Sequence, residues 1–170
     1  ALLADAYYCL GDLNKEADAR RLVIANKATE RDYERAWSAE VRAGRLDHGE
    51  AALREAIAAY PREGQNYLRL GKLLKRMQRP NEEILSVLDS AARLLPGDKR
   101  IIDARGSLLF RMRQYGPAYK DLREVTDANP TPFNQAYLAL AAIELGYFEE
   151  ALEAIGAALA LAIGVYLMLR

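Results

Sequence analysis

One histidine, His48, and one cysteine, Cys9, are the sequence's only imidazole and its only thiol. A zinc site takes about four ligands and a disulfide takes two thiols, so this chain is expected to form neither a zinc site nor an internal disulfide. His48 stands in "GRLDHGEA" beside Asp47 and near Glu50, residue types that move protons in general acid–base catalysis. That stretch is the turn between two short helices, however, and a surface turn encloses no pocket; it reads as a solvated turn histidine. Nothing marks Cys9 as an activated thiolate. The paired acids Glu82-Glu83 and Glu149-Glu150 open helices, where negative charge meets the positive end of the helix dipole. No phosphate-cradling glycine loop or dinucleotide fingerprint occurs. The expectation is a non-enzyme with no catalytic residue, no metal and no cofactor.

What chemistry remains is charge. "YLRLGKLLKRMQRP", residues 67 to 80, carries Arg69, Lys72, Lys75, Arg76 and Arg79 and no acid. Over the 170 residues, 24 basic and 24 acidic side chains balance. There is no overall basic signature for nucleic acid and no acidic tail, so any electrostatic preference comes from local clusters. A lone thiol is compatible with cytoplasm and bacterial periplasm alike. Ala154 to Leu169 is uncharged over sixteen residues, shorter than the ~20 that cross a bilayer and interrupted by Gly156 and Gly164. It reads as a buried helix and the start of another, with no membrane span. Starting at Ala1 inside a helical pattern, the sequence reads as a piece of a longer array.

The elements that position these residues are helices. Prolines at 61, 80, 96, 117, 130 and 132 fall between or at the starts of leucine- and alanine-rich segments, and no run alternates as a strand does. Helices are expected at about 1–10, 14–27, 30–43, 47–59, 65–78, 82–94, 99–113, 117–128, 132–145 and 148–161. Such short helices on short turns pack as antiparallel neighbours; the chain is all-α. "LADAYYCLGDL", "YLRLGKLLKRMQRP", "ARGSLLFRMRQYGPA" and "YLALAAIELGYFEEA" align, with small residues at Ala4, Gly71, Gly106 and Ala139. Small residues also open second helices at Gly49, Ala118 and Ala151, and proline closes three repeats at Tyr60-Pro61, Leu95-Pro96 and Asn129-Pro130. First helices recur at offsets of about 33, 34, 35 and 33 residues, close to the period of a known helical-repeat class.

These motifs resemble the tetratricopeptide repeat (TPR) family. "YLRLGKLL" is similar to its first-helix opening, "LGYFEEA" to its turn and second-helix start, and Ala118 to Pro130 to its second helix and closing proline. The resemblance implies one right-handed α-solenoid over 1–170, with repeats at about 1–29, 30–63, 64–98, 99–131 and 132–163 and a sixth starting over 164–170. Trp37 departs from the pattern, standing where a small residue is usual, and the fifth repeat lacks its closing proline. One helix pair cannot bury its own apolar face, so stacking on neighbours supplies stability.

In this family first helices line the concave side, so the resemblance places Leu68, Lys72, Lys75, Arg76 and Arg79 there, with Tyr67, Leu70, Gly71 and Leu74 inward. Equivalent positions include Ser38, Val41 and Arg42; Arg100, Asp103, Ser107, Phe110 and Arg111; and Phe133, Ala136, Leu140, Ile143 and Glu144. The candidate partner-binding residues are Arg42, Leu68, Lys72, Lys75, Arg76, Arg100, Ser107, Phe110 and Arg111. Such a surface suits another protein, an extended or helical segment that is acidic with apolar anchors. Equally, Lys and Arg solvate exposed helix faces with their stems over apolar neighbours. The Lys/Asn/Arg clamp that some TPR proteins use on chaperone C-termini is not reproduced: Glu34, Ser38, Leu68, Lys72, Asp103 and Ser107 occupy those places. The function expected is a non-catalytic protein-interaction scaffold, with a bacterial envelope secretion or assembly system as one setting. The second reading is a structural spacer that self-associates or docks through its terminal repeats. RNA binding ranks third, because a base-reading repeat needs paired side chains at fixed positions and here those vary between Ser, Lys and Leu.

Overall fold

A computed structural model of the chain describes residues 2–25 and 28–168. Among these, every regular element is a helix: α1 (Leu2–Cys9), α2 (Leu13–Ile24), α3 (Glu30–Arg42), α4 (Leu46–Ala59), α5 (Gly64–Arg76), α6 (Asn81–Leu94), α7 (Lys99–Arg111), α8 (Tyr115–Ala128), α9 (Pro132–Leu145) and α10 (Phe148–Met168). The all-α expectation holds, and most helix ends fall within two residues of the sequence reading. The α2 end read at residue 27 lies outside the described residues. α10 is the exception: no break separates a helix ending near 161 from another starting at Val165, and one helix runs through Gly156 and Gly164 to Met168. Each glycine costs a helix about 1 kcal/mol relative to alanine, too little to stop one so rich in Ala and Leu.

The chain forms two compact bodies, Ala1–Leu94 and Leu95–Arg170. In the first, each of α1 to α6 packs on the next in chain order; in the second, α7 to α10 do the same and α7 also touches α9. Leu53, Leu70, Leu74 and Leu88 are fully buried in the first body, and Ile101, Leu108 and Leu122 in the second.

The backbone repeats as the sequence does. Gly11, Gly44, Gln78, Arg113 and Gly146 follow α1, α3, α5, α7 and α9, and each has a left-handed φ between 57° and 79°. At every one the turn residue's N–H donates to the carbonyl three residues back, and the next N–H to the carbonyl five residues back. This is the Schellman closure, which satisfies orphaned helix-end carbonyls. The five turn residues are spaced by 33, 34, 35 and 33, the offsets read from the aligned segments. Gln78 and Arg113 hold a conformation that costs a non-glycine residue about 1–3 kcal/mol.

Close helix approach explains the small residues. A Cβ on Gly71 would lie 2.8 Å from Leu88 Cδ2 of α6, and one on Gly106 would lie 3.0 Å from Asp121 Cβ and 3.1 Å from Leu122 Cγ of α8. Where α3 carries Trp37 instead, the partner helix supplies the space: a Cβ on Gly49 of α4 would lie 2.8 Å from Val41 Cγ2.

Candidate partner-binding surface

The N-terminal end of α5 is fixed by Glu63, whose carboxylate accepts from Gln65 N. Its neighbours bury Leu68, Leu70, Gly71, Leu73 and Leu74. Leu68 is only 3% exposed, which corrects its assignment to the solvent face. A helix covered from more than one side buries an arc wider than a single apolar stripe, and Leu68 falls inside that arc. Tyr67, expected inward, is half-buried, and its hydroxyl donates to the Pro61 carbonyl at 3.1 Å.

The five positive charges of this segment divide into two kinds. Arg69 pairs with Glu34, donates to Asn66 Oδ1 at 3.3 Å and lies 5.8 Å from the Trp37 ring centre. Arg79 pairs with Glu50 at 2.9 Å and lies 3.6 Å from Asp47. Burial raises the Glu50 carboxyl pKa, but Arg54 and Arg79 outweigh it and hold the group below the usual range. The sequence shows no acid within the segment; the structure brings acids to it from α3 and α4. Lys72, Lys75 and Arg76 are exposed, and among the described residues they make no ion pair.

Arg42 is committed elsewhere in the first body. Its Nη2 donates to both oxygens of the fully buried Glu16 carboxylate, at 2.8 and 2.9 Å, and its Nη1 to Ser38 Oγ at 2.6 Å. Arg20, 8% exposed, donates to Glu16 from Nε at 3.0 Å and to Asp5 at 2.9 Å. Hydrogen bonding from Arg20 holds the Asp5 carboxyl below its usual range. The i, i+4 pair Glu16 and Arg20 was visible in the sequence, whereas nothing local announced Arg42. A second buried carboxylate, Glu40, sits 2.8 Å from Arg45 Nε and 3.6 Å from His48 Nδ1. His48 itself is exposed in the first turn of α4, and Cys9 is exposed on α1.

In the second body Arg100 forks onto Asp98 at 2.7 and 3.1 Å, while Asp98 also accepts from Arg100 N to cap α7. Ser107 is 8% exposed and its hydroxyl donates to the Ala104 carbonyl at 3.1 Å. It therefore presents no exposed contact surface, a second correction, caused by α7 burying both flanks. Phe110 is half-buried between Tyr115 and Tyr137, at ring separations of 5.5 and 5.3 Å. Arg111 beside it is exposed and makes no ion pair among the described residues.

Of the nine residues read as partner-binding, Lys72, Lys75, Arg76 and Arg111 stand exposed without an ion pair, and Phe110 is partly open. Arg42 and Arg100 are paired; Leu68 and Ser107 are buried. Counted back six, three and two residues from each of the five left-handed turns, the same positions carry Asp5, Tyr8 and Cys9; Ser38, Val41 and Arg42; Lys72, Lys75 and Arg76; Ser107, Phe110 and Arg111; and Leu140, Ile143 and Glu144. Among the described residues no group of three or more His, Cys, Asp or Glu is placed to hold a metal ion, and no helix is long and apolar enough to cross a membrane.

No family model matches the sequence, and no curated protein matches it. Solved structures do. A crystal structure of MamA superposes with a TM-score of 0.82 at 15% identity, over 96% of this chain and 96% of that one. MamA MSR-1 gives 0.75 at 18% identity over 95% and 94%. MamA residues 41 to the end from Desulfovibrio magneticus RS-1 give 0.78 at 13% identity over 95% and 92%. At these identities the likeness establishes the fold alone: an all-helical chain whose successive helices pack in neighbouring pairs within each body.

Proposed function

We propose that the chain is a non-catalytic scaffold that binds another protein, and that Lys72, Lys75 and Arg76 attract an acidic segment of that partner. The carrying observation is the contrast over residues 69–79, where Arg69 of α5 and Arg79 of the following turn are matched by acids of neighbouring helices and the three cations between them make no ion pair among the described residues. Lys72 lies three and four residues before Lys75 and Arg76, and like charges at these spacings each destabilise a helix by about 0.2–0.5 kcal/mol. A partner carboxylate relieves that repulsion. Near a protein surface one such charge pair at 4 Å interacts with ~4 kcal/mol at an effective dielectric of 20, before desolvation and ordering costs. Within the second body, and taken by itself, α7 sets the half-buried Phe110 ring beside Arg111, which makes no ion pair among the described residues. The TPR-like fold supports this reading. A setting in a bacterial envelope secretion or assembly system belongs to the same proposal and rests on the resemblance to TPR arrays alone.

The test is a peptide panel of equal length, acidic-apolar, neutral-apolar and basic-apolar, titrated against the chain and against Lys72→Glu/Lys75→Glu/Arg76→Glu. The parent selects the acidic-apolar peptide, and the reversal weakens it by at least about tenfold, or 1.4 kcal/mol. Equal affinity for all three peptides, or an unaffected variant, rejects the proposal.

A further inference from the structure

The second helices α2, α4, α6 and α8 are 12, 14, 14 and 14 residues long, whereas α10 is 21, seven more than α8 (21 − 14). One side of α10 is used: Ala151 and Ala154 are buried and α9 packs along the helix. Another side is open. Phe148, Leu152, Ile155, Leu159 and Tyr166 are 41–72% exposed, and Ala162 is exposed between the last two. Their spacing of 4, 3, 4, 3 and 4 is the seam of a coiled coil, and the three charged residues of α10 (Glu149, Glu150, Glu153) all fall in its first six residues.

The seam is also symmetric about Ala157. Phe148 and Tyr166 lie nine residues to either side, Leu152 and Ala162 five, Ile155 and Leu159 two. Turned end for end, it meets itself in register, large residues facing large ones at the ends and centre and Leu facing Ala between. We propose that a second copy of this chain docks here, α10 against α10 and antiparallel, so that each contact occurs twice about a two-fold axis. A parallel pair would set the acidic trios of the two copies side by side. The antiparallel pair places each trio beside the uncharged half of the other helix, ~19 Å from its counterpart along the axis at ~1.5 Å per residue, beyond the ~8 Å screening length of physiological salt. Association through this seam is apolar and independent of the α5 reading.

The 170-residue chain is examined by sedimentation equilibrium in the tens of micromolar. It sediments at twice its monomer mass, with no weakening as salt rises. Leu152→Glu/Leu159→Glu sediments as a monomer with an unchanged far-ultraviolet helix signal, since both side chains are exposed. Cys9 carries an exposed free thiol, so cross-linking uses a Cys9→Ser background. There Ile155→Cys/Leu159→Cys oxidises to a covalent dimer and Ile155→Cys alone does not, because a disulfide needs Cα atoms within about 7 Å. A parent that stays monomeric, a dimer indifferent to the two glutamates, or ready linkage through Ile155→Cys alone overturns the proposal.

Discussion

α5 and α9 occupy equivalent places in their repeats, end in the same hydrogen-bonded turn and carry opposite chemistry. Six, three and two residues before the turn, α5 presents Lys72, Lys75 and Arg76 where α9 presents Leu140, Ile143 and Glu144. Both sets are exposed, Leu140 and Ile143 at 48% and 42%. The repeat thus fixes where a side chain stands and leaves its chemistry free. Arg42 adds a warning: it holds the same position as Arg76, yet it is locked onto a buried carboxylate. Position alone does not make a binding residue; the partners already present decide.

That distinction gives the largest predicted effect. Arg42→Ala strips two charge-assisted hydrogen bonds from buried Glu16 and should cost about 2 kcal/mol, whereas Arg76→Ala should stay within about 0.5 kcal/mol. Urea unfolding of the two variants measures the difference, and equal losses would erase the division between paired and free arginines. Next, Gly71→Ala places in α5 the residue that α9 carries at Ala139. Displacing Leu88 costs about 1–3 kcal/mol, and the better helix former returns about 1, leaving a net loss near 1 kcal/mol in the same assay.

A smaller effect separates the two turns. Gln78→Gly should stabilise by about 0.5 kcal/mol, because relief of a left-handed side chain, about 1–2 kcal/mol, exceeds the entropy that glycine loses. Gly146→Gln should destabilise by a similar amount, read as opposite shifts in thermal midpoint. Smallest is the acid limb. The carboxyl of Glu50 titrates below its ordinary 4.5 because Arg54 and Arg79 hold it. Its contribution is therefore complete above that value and lost as pH falls through the lower folded-state pKa. Glu50→Gln removes it, so parent and variant should differ in urea midpoint at neutral pH and converge in acid.

Much of the fold was legible because its signals are local. Glycine and proline punctuate it, small residues recur at one position, and the turn spacing of 33 to 35 residues stands in the letters themselves. The site was less legible because its decisive contacts are distant. Glu16 and Arg42 lie 26 residues apart, and Glu34 and Arg69 lie 35 apart. The resemblance places Leu68 and Ser107 on an open concave face, whereas first helices here are covered over a wider arc and bury both. The end of α10 was misplaced for an energetic reason: Gly156 and Gly164 looked like stops, and a cost near 1 kcal/mol each is no stop in such a helix.

The most direct test of the α5 face is the salt dependence of its affinity for an acidic-apolar peptide, compared with that of Lys72→Gln/Lys75→Gln/Arg76→Gln. Screening acts on exposed charges, so three free cations predict affinity that falls steeply with salt in the parent and hardly at all in the variant. Parallel salt curves for the two proteins would contradict it.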